Sequence, residues 1–354
     1  MTVKQAREAA LRWMVEEGGS IPGFCGAYTA GSTNWLPEDA ELSAASDLDI
    51  MVVVADENLA GRRRKFLYHD TLLEVTYLWN HRLRSPEQVL SDYHLAPSFR
   101  TTKVMVDPSG HLAPLLAAVS RDYASRQWVR RRCSNARDKV LGHLGWIHEN
   151  AGTHDHVTAC LFAAGITTHI LLAAGLRNPT VRARYVAVRE LLAEYGQVEF
   201  HETLLELLGA ARFSRAQVLR HLATLTEIFD AAGRFIQTPF PFASDINDTA
   251  RPIAIDGSVE LIGRGYHREA MFWIGVTHSR CQKVLWCDAP EPLTQSFKGS
   301  YQELASDLGV PTFDAVRRRC AEIERILPRV LELAEGMMAA NSAIGDGASE
   351  MQIE

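Results

Sequence analysis

Gly31-Ser32, fourteen further residues, and then Asp47-Leu48-Asp49-Ile50-Met51-Val52-Val53-Val54 is the stretch on which the fold turns. The run Leu48–Val54 is rich in valine and predicts a strand, because β-branched side chains suit a pleated surface. Alternate residues of a strand share a side, so Asp47 and Asp49, read as part of this strand, present two carboxylates together. Carboxylates that close repel each other and do nothing for folding. A divalent cation relieves the repulsion, and oxygen ligands of this kind suit Mg²⁺. Glu74 lies inside Leu72-Leu73-Glu74-Val75, where the pattern expects an apolar residue. If its strand lies beside Leu48–Val54, three carboxylates converge at one edge of a sheet.

Upstream, residues 3–17 place Ala6, Ala10, Trp13 and Met14 on one face of a helix that Gly18-Gly19 stop. Phe24–Thr29 predicts a short strand leading into Gly31-Ser32. Downstream of the basic run Arg62–Lys65, the apolar stretches Phe66–Tyr68 and Leu72–Trp79 flank His69-Asp70, a hairpin turn. Val104–Val106 is a further strand, ended by Asp107-Pro108-Ser109-Gly110. Beyond that the chain is helical. Val129, Cys133, Ala136, Val140, Leu144 and Ile147 form one stripe, and Val157–Ala174, apolar nearly all round, predicts a buried central helix. Asn178-Pro179 is expected to start the next helix, Ser214 to cap one of about 18 residues, and Ser300 with Glu303 to form a capping box. Thr238–Ser258 is the longest loop, a class of segment that is often functional. The expected architecture is α+β: a domain over residues 1–115 with a small mixed sheet flanked by helices, an all-helical domain over 116–340, and a disordered tail over 341–354.

A length of 354 residues suffices for two domains, and 47% hydrophobic with 23% charged residues places the chain among ordinary globular proteins. No apolar run approaches the roughly 20 residues needed to span a bilayer, and no signal-peptide block opens the chain. Both features lead to an expectation of a cytoplasmic protein with no membrane partner. The six cysteines contain no CxxC pair, which argues against a structural zinc site or a disulfide scaffold. A net charge of −6 disfavours nucleic acid as a partner and suits a cationic or neutral acceptor.

Gly31-Ser32, the spaced Asp47-x-Asp49 and a third acid on a later strand together resemble the DNA-polymerase-β-like nucleotidyltransferase superfamily. Within it the chain is most similar to bacterial small-molecule members, the aminoglycoside and lincosamide nucleotidyltransferases, which append a helical domain. Val106–Gly110 followed by Leu112 also resembles the way those catalytic domains end. The likeness covers residues 20–115 at motif level, and the gap between Ser32 and Asp47 is longer than the family's. The resemblance implies transfer of NMP, foremost AMP from ATP or another NTP, to a hydroxyl of a small molecule, with pyrophosphate released. It implies that Asp47, Asp49 and Glu74 hold Mg²⁺, a pair of ions, and that Gly31 and Ser32 approach the nucleotide's phosphates. Glu74 is left as metal ligand or as general base.

Other polar groups carry weaker readings. Arg126, Arg130, Arg131, Arg132, Arg137 and Lys139 cluster on the first long helix, and Arg130 and Arg137 are candidates to clamp the phosphates, against a solvated helix face. Arg100 carries the same pair of readings. His154 and His156 beside His148 read as a helix start rather than a metal site. His267 and Glu269 are candidates for the acceptor pocket, against ordinary surface positions. Antibiotic modification and biosynthetic tailoring are both compatible with this reading. The alternatives are a protein-AMPylating enzyme of toxin–antitoxin type, a non-catalytic nucleotide sensor and, against the acidic balance, an RNA-tailing enzyme.

Overall fold

The computed structural model describes residues 1–43 and 45–346. Strands β1 (Phe24–Ala30), β2 (Leu48–Val54), β3 (Arg63–Tyr68), β4 (Thr71–Trp79) and β5 (Val104–Val106) form one sheet in the order β3-β4-β2-β1-β5. It is mixed: β2 and β4 run parallel, and the remaining neighbours run antiparallel. The β3–β4 hairpin turns on His69 and Asp70, both left-handed with φ of 46° and 60°. Two consecutive left-handed residues are what a two-residue loop matching the strand twist requires.

Helix α1 (Val3–Glu17) starts at a capping box between Thr2 and Gln5. Its Ala6, Ala10, Trp13 and Met14 bury one face of the sheet with Leu48, Ile50, Val52, Leu73 and Val75. The opposite face is covered by α2 (Pro86–Ser91), α3 (Ala96–Thr101) and α4 (Leu112–Asp122). There Val89, Phe99, Leu112, Leu115 and Val119 pack with Tyr28, Val53 and Leu78. The sheet's core therefore extends past residue 115: α4 belongs to it, and Trp128 of α5 (Arg126–Gly145) reaches it as well.

The rest is a helical bundle. Helix α6 (Thr153–Ala174) is its axis, in contact with α5, with α7 (Arg184–Glu194) and α8 (Phe200–Leu208), and with two long helices further along the chain. These follow α9 (Arg215–Phe235), α10 (Arg251–Ala254) and α11 (Asp256–Gly263), and are α12 (His267–Asp288) and α15 (Phe313–Ala340), separated by α13 (Glu291–Ser296) and α14 (Lys298–Asp307). Ser214 caps α9 as expected, in a capping box with Gln217.

Several expectations are corrected. The helix after α6 starts at Arg184, not at Asn178-Pro179. Leu176 turns left-handed to close α6, and His169 Nε2 bonds Thr180 O at 3.0 Å, which fixes the intervening segment outside a helix. Helix α14 begins at Lys298, and Ser300 bonds back to Phe297 O at 2.9 Å instead of capping. Helix α6 is 22 residues long and, against expectation, apolar enough to cross a membrane. Its most apolar window is 83% buried inside the bundle, as the core-helix reading requires. Residues 341–346 of the expected tail are ordered: Ile344 is buried against the bundle, and Gly345 O accepts from Arg126 N at 2.7 Å. Residues 347–354 lie outside the described residues.

Candidate functional site

Parallel pairing of β2 and β4 sets Asp49 opposite Glu74. The flanking pairs set Ala30 opposite Asp49 and Lys65 opposite Glu74, so one row crosses four strands as Ala30, Asp49, Glu74 and Lys65. Leu48 and Ile50 pack toward α1, so alternation turns Asp49 to the other face, along which the helical bundle approaches. Asp47 stands just before β2 rather than within it, which corrects the reading of an in-strand pair. The chain entering the strand, not strand alternation, brings it to Asp49. Even so, Asp47, Asp49 and Glu74 each offer a carboxylate oxygen, and these lie within 4.8 Å of one another.

Gly31 adopts φ 72° and ψ −166°, a backbone region that is essentially glycine's alone. It also packs on Asp49 so closely that a Cβ there would collide with Asp49 Oδ2. Ser32 is exposed and opens a single 3₁₀ turn, Ser32–Trp35. The turn is pinned by Asn34 Nδ2 donating to Thr29 O at 2.9 Å and by Arg7 of α1 donating to Thr33 O at 3.0 Å. Gly31-Ser32 is thus a fixed rim beside the carboxylates.

The centre of the cluster holds a residue that sequence reasoning missed. Lys65 Nζ lies 2.9 Å from Glu74 Oε2, 3.2 Å from Asp47 Oδ2 and 3.0 Å from Asp245 Oδ1, with its side chain only 5% exposed. Asp245 ends the 3₁₀ turn Ala243–Asp245 in the stretch 238–258, which is not the continuous loop expected, since α10 and the start of α11 lie within it; its second oxygen accepts from Arg280 of α12 at 3.1 Å. Arg63 stands 3.9 Å from the other Glu74 oxygen. Among the described residues, no basic group lies within ion-pair distance of Asp49.

The electrostatics follow from this layout. Burial, then repulsion from Asp47 and Glu74, pushes the Asp49 carboxyl well above the usual carboxylate range. Burial also lifts Glu74 to about 7, although Lys65 pulls the other way. Burial works against the charge on Lys65, but Asp47, Asp245 and Glu74 together outweigh it and raise its pKa. Asp245 is buried too, yet Lys65 and Arg280 hold it below the ordinary range.

A basic and aromatic wall adjoins the cluster. Arg280 lies over Phe242 at 5.1 Å, Phe162 at 5.6 Å and Trp273 at 5.7 Å. Arg184 is buried over Phe272 at 4.0 Å; its Nε donates to Val181 O at 2.8 Å, and one terminal nitrogen has no partner. Burial lowers its pKa to about 10. His94 is exposed to solvent, and desolvation by the protein around it lowers its pKa.

Other candidates fall elsewhere. Arg130 forks onto Glu335 at 2.9 and 3.1 Å, and Arg137 bonds Asp138 at 2.7 Å and Ser134 at 3.1 Å. Both expected phosphate clamps are therefore engaged on the exposed side of α5, away from any contact with the carboxylates. Arg132 of the same helix is fully buried, donating to Tyr123 O at 2.6 Å. Glu269 is buried, not a surface position, and pairs with Arg189 at 3.1 Å beside His201 at 3.9 Å. His267 opens α12, half-buried. His156 Nε2 bonds His148 O at 2.7 Å, as befits a helix start. Arg100 braces the two halves, donating to Leu176 O at 2.9 Å while stacked over Tyr123 at 5.1 Å.

The hairpin turn held a usable signal for Lys65: counting back from His69-Asp70 places it opposite Glu74. Asp245, Arg280 and Arg184 gave none, since they reach the site through tertiary packing. A scan against protein-family models finds no match, and no curated protein matches the sequence.

Proposed function

We propose that this protein is a metal-dependent nucleotidyltransferase that moves a nucleoside monophosphate, foremost AMP from ATP, onto a hydroxyl of a small molecule. The acceptor oxygen bonds to the α-phosphorus, the α–β phosphoanhydride breaks, and pyrophosphate leaves with the bridging oxygen. The observation that carries this reading is Gly31 seated against Asp49 within a cluster of three carboxylates. The residues fit a divalent ion. The donors are hard oxygens, no basic group lies within ion-pair distance of Asp49 among the described residues, and the absent Cβ at residue 31 lets Asp49 Oδ2 take its place beside the other two carboxylates. Mg²⁺ bound there supplies charge neutralisation and alignment for the phosphate oxygens.

The chain's own groups divide the remaining work. Asp47 and Asp49 hold the ion. Gly31 lets backbone approach the phosphates and Ser32 offers them a hydroxyl. Glu74, near 7, completes the ion's shell or takes the acceptor's proton as the hydroxyl attacks. Arg280, paired to Asp245, is the bundle's charged group beside the carboxylates and the nearest candidate to meet the remaining substrate.

One observation favours a second reading. The Lys65 ammonium already sits among the carboxylates as a cation does, and that arrangement suits a nucleotide sensor without turnover. Pyrophosphate release separates the two, assayed with Mg²⁺, each NTP and a panel of hydroxylated small molecules. Turnover that is lost in Asp49→Ala supports the enzyme; turnover that survives it removes the metal assignment. Binding of ATP with no pyrophosphate on any acceptor favours the sensor.

A further inference from the structure

Two-metal phosphoryl-transfer sites place their ions about 3.5–4 Å apart between shared carboxylates. In this protein the shared position is taken. Lys65 Nζ lies 2.9 to 3.2 Å from carboxylate oxygens of Asp47, Glu74 and Asp245 and donates a hydrogen bond to the last, so its charge stands among all three. Its stem is held by the β3–β4 register, and its side chain is 5% exposed, so it has no open route to solvent. An ion between Asp47 and Glu74, with oxygens at about 2.0–2.1 Å, would stand against that ammonium.

Asp49 is the carboxylate left outside this network: among the described residues no basic group lies within ion-pair distance of it, although its oxygen lies within 4.8 Å of those of Asp47 and Glu74.

We propose that the site takes a single divalent ion, held by Asp49 with Asp47, and that the Lys65 ammonium is its built-in second cation. This rests on the metal-dependent reading above and narrows it. The tie to Asp245 also makes Lys65 a joint between the sheet's carboxylates and the bundle.

The test is a Mn²⁺ titration of the full chain, with free Mn²⁺ followed by electron paramagnetic resonance and no nucleotide present. Wild type is expected to bind one ion, Lys65→Met two, and Asp49→Asn one at least tenfold more weakly. Lys65→Arg keeps the charge and the count of one, and it serves if Lys65→Met fails to fold. Two ions on wild type or on Lys65→Arg overturn the proposal, as does a single ion on folded Lys65→Met. Unchanged binding by Asp49→Asn overturns it as well, by moving the ion elsewhere. No ion on wild type removes the metal-dependent reading itself, a failure distinct from a wrong count.

Discussion

Gly31 and Asp49 share a space that admits only one of two things: the carboxylate oxygen in place, or a side chain on residue 31. The motif's glycine is therefore fixed twice, by its backbone angles and by its neighbour. Gly31→Ala is expected to lose about 1–3 kcal/mol for the backbone alone, with Mn²⁺ binding lost as Asp49 is displaced. Gly61, also left-handed at φ 79° but with open space around it, is the control. Its alanine variant should lose about 1–2 kcal/mol and keep full ion binding. Urea unfolding with Mn²⁺ titration compares them; equal ion binding in both variants would refute the seat.

Without an ion, the Asp49 charge works against the fold, because burial and its acidic neighbours raise its pKa. Asp49→Asn is expected to be more stable than wild type in EDTA at neutral pH, by about 1–2 °C for a gain near 1 kcal/mol. Saturating Mg²⁺ should reverse the order, since an ion at 100 times its Kd stabilises wild type by about 2.7 kcal/mol. Thermal melts with and without Mg²⁺ decide it, and an unchanged order would count against an ion at Asp49.

Glu74 gives the pH dependence. Its folded pKa of about 7 lies above the ordinary 4.5, so the folded state holds the proton more tightly than the unfolded chain. Its contribution to stability is full below about 4.5 and is lost as pH rises through 7. Metal-free wild type should therefore lose stability across that window, and Glu74→Gln should flatten the loss. Urea midpoints in EDTA from pH 4 to 8 read this out; parallel slopes for the two proteins would exclude Glu74 as the source.

Asp245 joins Lys65 and Arg280 across the two halves with its side chain 10% exposed. Removing one partner of a buried ionic group leaves charge uncompensated, and Asp245→Ala should cost about 3–5 kcal/mol. Proteolysis within 238–258 should accelerate in the same variant. A stable protein with an unaltered cleavage pattern would show the tie to be incidental.

Arg130 and Arg137 are both in exposed ion pairs. Their alanine variants should each change stability by less than about 1 kcal/mol. ATP affinity should stay within about twofold of wild type by calorimetry, and a tenfold loss in either variant would restore it as a phosphate clamp.

What was legible in the sequence was what neighbours in the chain impose. The Leu48–Val54 strand, the His69-Asp70 turn, the Ser214 cap and the buried run ending at Ala174 all follow from local pattern. Even the approach of Glu74 to Asp49 was conditional on one strand pairing, which forms. Hidden were the groups whose position depends on how the bundle meets the sheet. Asp245 lies 180 residues from Lys65, and nothing in a Pro-rich loop marks its one buried acid. Charge patterning on α5 did not tell its arginines apart: Arg130 and Arg137 are in exposed ion pairs while Arg132 is the buried member.

The two-residue turn at His69-Asp70 works as a ruler. A strand's side chains alternate, so lengthening or shortening that loop by one residue would slide Arg64 or Phe66 opposite Glu74 and turn Lys65 to the other face. Any descendant of this chain that keeps the carboxylates and Lys65 is thereby constrained in the length of a loop on the far end of the hairpin. An insertion there is expected to persist only alongside a compensating change in the strands. The site's charge balance is thus inherited through a spacing as much as through the residues themselves.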